Sequence, residues 1–182
     1  TASGVIRASK SGGAVTGSKM TGGIVGSSRG KIVAGVNGAY VNTVSGDQAI
    51  SLENVNLDFS LDMTKLTTGD ALLSSYDTGG ITGYNAGTIR ACENRAIVGY
   101  QHVGYNVGGI AGSHRSGASI ISCKTYGPVN CERFAGGVSG KNSGFIRECE
   151  NNSSVNTVPT EKKTSLGDIS TDVGTAIEKL QN

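Results

Sequence analysis

Tryptophan is absent from the chain, proline occurs twice, and only 3 Phe and 6 Tyr stand among the 182 residues. With so little proline and no strict glycine triplet, neither collagen nor Pro/Gly-rich disorder fits. Charge of one sign is also missing: 16 basic residues face 14 acidic ones, scattered, for a net +2. No basic block offers nucleic acid or an anionic membrane an electrostatic footprint. No apolar run approaches the ~18 residues that would span a bilayer. A charged-then-apolar leader is absent from the start, and no His-Glu-x-x-His occurs. Thr1 opens the chain without a methionine, so the expectation is an excised or processed piece of a larger parent protein.

What is plentiful is glycine, 29 residues, roughly twice the usual share of about 7%. It recurs in a pattern. Gly79-Gly80-Ile81-Thr82-Gly83 returns as Gly108-Gly109-Ile110-Ala111-Gly112 and as Gly136-Gly137-Val138-Ser139-Gly140, with an earlier copy at Gly22-Gly23-Ile24-Val25-Gly26. The second glycine steps from 80 to 109 to 137, that is 29 and then 28 residues; from 23 to 80 is 57, close to two steps. A second element follows each time. Gly87-Thr88-Ile89-Arg90-Ala91-Cys92-Glu93-Asn94 nearly repeats as Gly144-Phe145-Ile146-Arg147-Glu148-Cys149-Glu150-Asn151, and Ile120, Ile121 and Cys123 hold the middle copy. Gly4-Val5-Ile6-Arg7 is the same element at the N-terminus. A third apolar piece closes each repeat: Tyr40-Val41, Ile97-Val98, Pro128-Val129, Ser154-Val155.

Three short, β-branched segments per ~28 residues are too short for helices and suit the coil of a solenoid, each strand stacking ~4.8 Å from its counterpart. The expected fold is therefore all-β: a right-handed parallel β-helix of about five to six three-strand coils, with a short C-terminal helix. Glycine is expected at the corners because tight bends favour φ > 0. The repeats occupy 1–159, with clear copies at 22–41, 79–101, 108–130 and 136–156. Residues 48–72 lack the double glycine and alternate instead (Val55, Leu57, Phe59, Leu61, Met63), which reads as a degenerate coil or an insertion. Residues 160–182 read as a linker and a helix or cap, because Ile169, Val173, Ile177 and Leu180 form a helical stripe.

The joint recurrence of Gly-Gly-Ile/Val-x-Gly, Gly-x-Ile and Cys-Glu-Asn resembles the GLUG repeat of bacterial surface and secreted proteins, including immunoglobulin A peptidases and adhesin-like proteins. The resemblance covers Gly79 to Val155 well and Gly22 to Val41 loosely. It implies an extracellular or cell-surface setting and a non-catalytic role as adhesion or spacer scaffold. The implied partners are a host protein or glycan and the rest of the parent protein. The alternatives are a carbohydrate-binding or carbohydrate-cleaving β-helix, and an accessory domain of a secreted peptidase.

Candidate sites are few. The repeat positions singled out are Gly80, Ile81, Gly83, Ile89, Cys92, Gly109, Ile110, Gly112, Cys123, Gly137, Val138, Gly140, Ile146 and Cys149, and the expected role of each is structural. Cys92, Cys123 and Cys149 share one position, and Cys131 stands apart. Zinc sites favour close pairs, so the reading preferred is an inward ladder of free thiols, with no metal and no cofactor. His102 and His114 fall on expected turns without a triad pattern. Asp58 and Asp62 share a strand face, a carboxylate pair suited to calcium or glycoside hydrolysis, and read more simply as a solvated face. Asn151-Asn152-Ser153 and Asn152-Ser153-Ser154 are glycosylation sequons by pattern alone.

Overall fold

The computed structural model describes residues 4–43, 75–101 and 103–157. Short strands follow one another around the stack. The first turn carries β1 (Val5–Arg7), β2 (Lys10–Ser11), β3 (Ala14–Val15), β4 (Lys19–Gly22) and β5 (Val25–Ser28). The second carries β6 (Lys31–Val33), β7 (Val36–Asn37), β8 (Tyr40–Val41), β9 (Tyr76–Gly79) and β10 (Thr82–Asn85). The third has β11 (Thr88–Arg90), β12 (Glu93–Asn94), β13 (Tyr105–Gly108) and β14 (Ala111–His114). The fourth has β15 (Ser119–Ile121), β16 (Lys124–Thr125), β17 (Arg133–Gly136) and β18 (Ser139–Asn142), and β19 (Phe145–Arg147) and β20 (Glu150–Asn151) begin another. Every pairing between these strands is parallel and joins neighbouring turns. The chain is a parallel β-solenoid of about four turns.

Each turn contributes to five faces, which we call sheets A to E in chain order: A is β1-β6-β11-β15-β19, B is β2-β7-β12-β16-β20, C starts with β3-β8, D is β4-β9-β13-β17 and E is β5-β10-β14-β18. Sheet C continues through single bridges Val41 to Val98, Val98 to Val129 and Val129 to Val155. Five faces replace the three expected for two reasons: Gly-Gly-x-x-Gly is a corner joining two strands, so that the four residues ending in its first glycine form a strand of their own, and the second element bends at its cysteine into separate strands of sheets A and B. The turn count also corrects the expectation of five to six. Ile6, Ile32, Ile89, Ile120 and Ile146 face one another in sequence. The step from Ile32 to Ile89, 89 − 32 = 57 residues, is thus one turn and not two. The stretch 48–72 and the expected helix in 160–182 lie outside the described residues; no helix occurs among those described.

Apolar side chains fill the interior in two clusters. One joins Ile32, Ile89 and Ile120 of sheet A to Ile81 and Ile110 at the D–E corner and to Cys92 and Cys123. The other joins Val41, Val98 and Val129 to Val107 and Cys131. Between them runs a polar column. Asn37 Nδ2 donates to Asn94 Oδ1 at 2.8 Å and to the Ala39 carbonyl at 3.0 Å, and Asn94 Nδ2 donates to the Ala96 carbonyl at 2.9 Å. Such a ladder satisfies buried amides along the stack. Thr125 holds the same place one turn on, and its buried Oγ1 has no partner.

The corner glycines are there for space. Gly80, Gly109 and Gly137 do not have left-handed φ, which corrects the expectation. A Cβ on Gly109 would sit 2.2 Å from the Gly137 carbonyl oxygen and 2.4 Å from Thr125 side-chain atoms; on Gly80 it would sit 2.2 Å from the Gly109 oxygen. The left-handed bends fall mostly on other residues. Ala8, Ala34, Ala91, Ser122 and Glu148 follow the sheet A strands, and Met20, Asp77, Asn106 and Phe134 kink the sheet D strands, all with φ between 48 and 62. The strain is offset by coil-to-coil bonds such as Ala34 N to Arg90 O and Ala91 N to Ile121 O, both 3.0 Å.

Candidate functional site

The cysteines that share a repeat position form a ladder. The Cys92 N–H donates to Cys123 Sγ at 3.4 Å and the Cys123 N–H to Cys149 Sγ at 3.4 Å. Each thiol in turn donates to the carbonyl two residues before it, at 3.3 Å. All four cysteines are free thiols. The neighbouring Cys92 side chain, reinforced by burial, holds the Cys123 thiol far above the usual thiol range against the opposing pull of the Cys92 N–H, and burial pushes Cys131 up as well. Thiolate chemistry is disfavoured at both. Among the described residues, no group of three or more His, Cys, Asp or Glu is placed to hold a metal ion.

His114 is a buried histidine, 1% exposed. Asn85 Nδ2 lies 3.0 Å from its Nδ1, and the Phe145 carbonyl lies 3.3 Å from its Nε2. The amide donates to Nδ1, so Nε2–H donates to the carbonyl and the ring is neutral. Burial lowers its pKa below the ordinary value. His102, Asp58 and Asp62 lie outside the described residues. Asn151 and Asn152 are exposed at β20 and just beyond it.

A groove that no motif announced lies beside His114. It crosses the second, third and fourth turns with a volume of about 370 Å³. Its floor is built on the kinks of sheet D. Asp77 in β9 and Asn106 in β13 adopt φ of 57 and 54, which throws their side chains out of the regular alternation. Asp77 as a residue is 8% exposed. Its Oδ1 accepts from Asn106 Nδ2 at 2.9 Å and also from the Ser113 hydroxyl of β14. Gly112 makes the approach of the two sheets possible, since a Cβ there would stand 2.4 Å from Asp77 backbone carbon. Tyr84 and Lys141, on the neighbouring strands of sheet E, and Arg115 line the walls. Among the described lining residues Asp77 is the one carboxylate and Arg115 and Lys141 the two cations.

Sequence reading passed over these residues because they vary inside a constant frame. The position of Asp77 reads Met20, Asp77, Asn106 and Phe134 in successive turns, and that of Tyr84 reads Ser27, Tyr84, Ser113 and Lys141. Laying the repeats under one another and reading the variable columns would have been the available signal. The contact between Asp77 and Ser113, 36 residues apart, needs the fold. Just outside, Lys19 lies 5.2 Å from the Tyr76 ring centre and Arg133 lies 5.9 Å from that of Tyr105, so this column of sheet D runs cation, ring, ring, cation over four turns.

Fold and site together define the class of protein, a parallel β-solenoid with a polar lateral groove. No protein-family description, curated protein or solved structure matches the chain.

Proposed function

We propose that the chain is a non-catalytic repeat module of a bacterial surface or secreted protein, serving as adhesion or spacer scaffold. The reading rests on the likeness of its repeats to the GLUG motif, and one structural observation supports it best. Identical registers run from turn to turn in sheets A, B, D and E, so the backbone is a stiff continuous stack that presents side chains at fixed heights. That is what a spacer or a display surface requires. The extracellular setting, a host protein or glycan as partner, and a larger parent protein follow from the same likeness.

A specific observation favours a second reading, carbohydrate binding. The lateral groove offers one carboxylate and several amide, hydroxyl and cationic groups in line along the stack. Glycoside hydrolysis ordinarily uses a pair of carboxyl groups across the scissile bond, so binding without cleavage is the form this reading takes.

The test is display of the chain on a non-adherent bacterium. Cells carrying it should be retained on mucin-coated glass under flow above empty-display cells, while polysaccharides incubated with the chain release no new reducing ends. Retention equal to the control removes the adhesive role; appearance of reducing ends removes the non-catalytic one.

A further inference from the structure

We infer that the groove over the second to fourth turns is a binding site for an acidic saccharide, with hydroxyls held at Asp77, Asn106 and Ser113 and a uronate-type carboxylate held at Arg115 and Lys141. This rests on reading the chain as a binding scaffold and names the ligand class that scaffold takes.

The first argument is that the fold does not need an acid at position 77. The same kink carries Met20 in the first turn and Phe134 in the fourth, with φ of 48 and 62. Asp77 is nonetheless buried to 8% exposure, and a carboxyl group so placed costs desolvation that a methionine would not. It is also oriented in advance. Both of its described hydrogen bonds fall on Oδ1, from Asn106 Nδ2 and from Ser113, which fixes the plane of the carboxylate. An oriented acceptor beside an amide and a hydroxyl is complementary to the paired hydroxyls of a sugar ring.

The second argument is charge. Two cations and one carboxylate line the groove. A neutral sugar would leave Arg115 and Lys141 without use, and a polyphosphate would meet the Asp77 carboxylate. A ligand with many hydroxyls and a single carboxylate satisfies both walls, and a planar guanidinium matches a carboxylate in two-point fashion.

The third argument is spacing. Equivalent residues on adjacent turns are ~4.8 Å apart, close to the length of one pyranose in an extended chain. A saccharide lying along the stack would thus meet one turn per ring. The Tyr84 ring in the groove, and the exposed Phe134, at 66%, one turn beyond Asn106 in the column of Asp77, supply faces for the C–H side of a pyranose.

The experiment is calorimetric titration of the intact chain with trigalacturonate and with a hyaluronan tetrasaccharide, maltotriose serving as the neutral probe. At least one acidic oligosaccharide should bind more tightly than maltotriose, and added salt should weaken that binding. Loss of a charge-assisted contact in K141A, an exposed position outside the core, should weaken it about tenfold or more. D77N should weaken it similarly, and Ser27→Ala, on the first turn, should leave it unchanged. Binding no tighter than that of maltotriose, or binding unaffected by both Lys141→Ala and Asp77→Asn, overturns the site while leaving the scaffold reading in place. Shortened oligosaccharides in the cell after titration would instead overturn the non-catalytic reading and uphold the site.

Discussion

Gly109 and Gly117 look alike in the sequence and are required for different reasons. Gly109 is pressed between turns, with the Gly137 oxygen 2.2 Å from where its Cβ would be; Gly117 has φ of 80 and nothing within 4 Å of that point. Gly117→Ala meets only backbone strain and should cost about 1–2 kcal/mol. Gly109→Ala forces two turns apart and is expected to cost clearly more, with valine worse than alanine. Urea denaturation of the pair checks this, and equal losses would mean that close approach is not what selects glycine at the corner. Thr125 makes the opposite case. Its buried Oγ1 is unsatisfied in a column otherwise carried by Ser11, Asn37, Asn94 and Asn151. Thr125→Asn should extend the amide ladder and raise stability by about 1 kcal/mol; a loss would show that the larger side chain does not fit beneath Gly109.

At the scale of the element, the columns determine what a truncation does. Ile110 is fully buried, its N–H donates to Val138 O at 3.0 Å, and its own carbonyl accepts from Ile81 at 3.0 Å. A neighbour covers it on each side. Ile110→Ala should cost about 2–5 kcal/mol, as for other buried large-to-small changes. Ile6, half-buried in the first turn, is covered from one side by Ile32. Ile6→Ala should cost distinctly less, and equal effects would argue against a stacked core. The cysteine column obeys the same geometry. Because the three thiols are engaged by N–H groups of the preceding turn or by carbonyls, native protein should react slowly with a thiol reagent at Cys92 and Cys123. Denatured protein without reductant should show all 4 thiols; a titration short by two would reveal a disulfide.

For the whole molecule, the buried histidine makes stability depend on pH. Burial depresses the pKa of His114 from its ordinary 6.5, and Asn85 presents a donor to the nitrogen that would take the proton. The unfolded chain therefore binds a proton before the folded one does. His114 leaves stability intact above the unfolded value, and stability is lost as pH falls from there through the folded pKa. The urea midpoint should drop as pH falls through the ordinary histidine range and below it, and His114→Asn, which copies the residue at Asn85 and Asn142 in the same column, should flatten that drop. An equal slope in both proteins would place the pH sensitivity elsewhere. Charge along sheet B contributes less. Glu93, Lys124 and Glu150 alternate in register, but the Lys124–Glu150 pair at 3.1 Å is solvent-exposed and such pairs are worth little.

Some of this was legible in the sequence by itself. Parallel stacking, the isoleucine column of sheet A, the cysteine position and the valines of sheet C all follow from side-chain identity recurring at a fixed place in each repeat. Each repeat writes them locally, so they need no knowledge of what touches what. The number of turns does not follow, because the 57 residues from Ile32 to Ile89 become one turn only when those two residues pair. Nor do the five faces, since Gly79-Gly80 reads equally as the start of one strand or as a bend between two. The reason for the corner glycines was hidden because the sequence names the missing side chain and not the backbone that fills its space. The groove was hidden for a related reason. Asp77 and Ser113 meet across adjacent turns and two sheets, a contact that exists only after register and kink have both been decided by the tertiary packing.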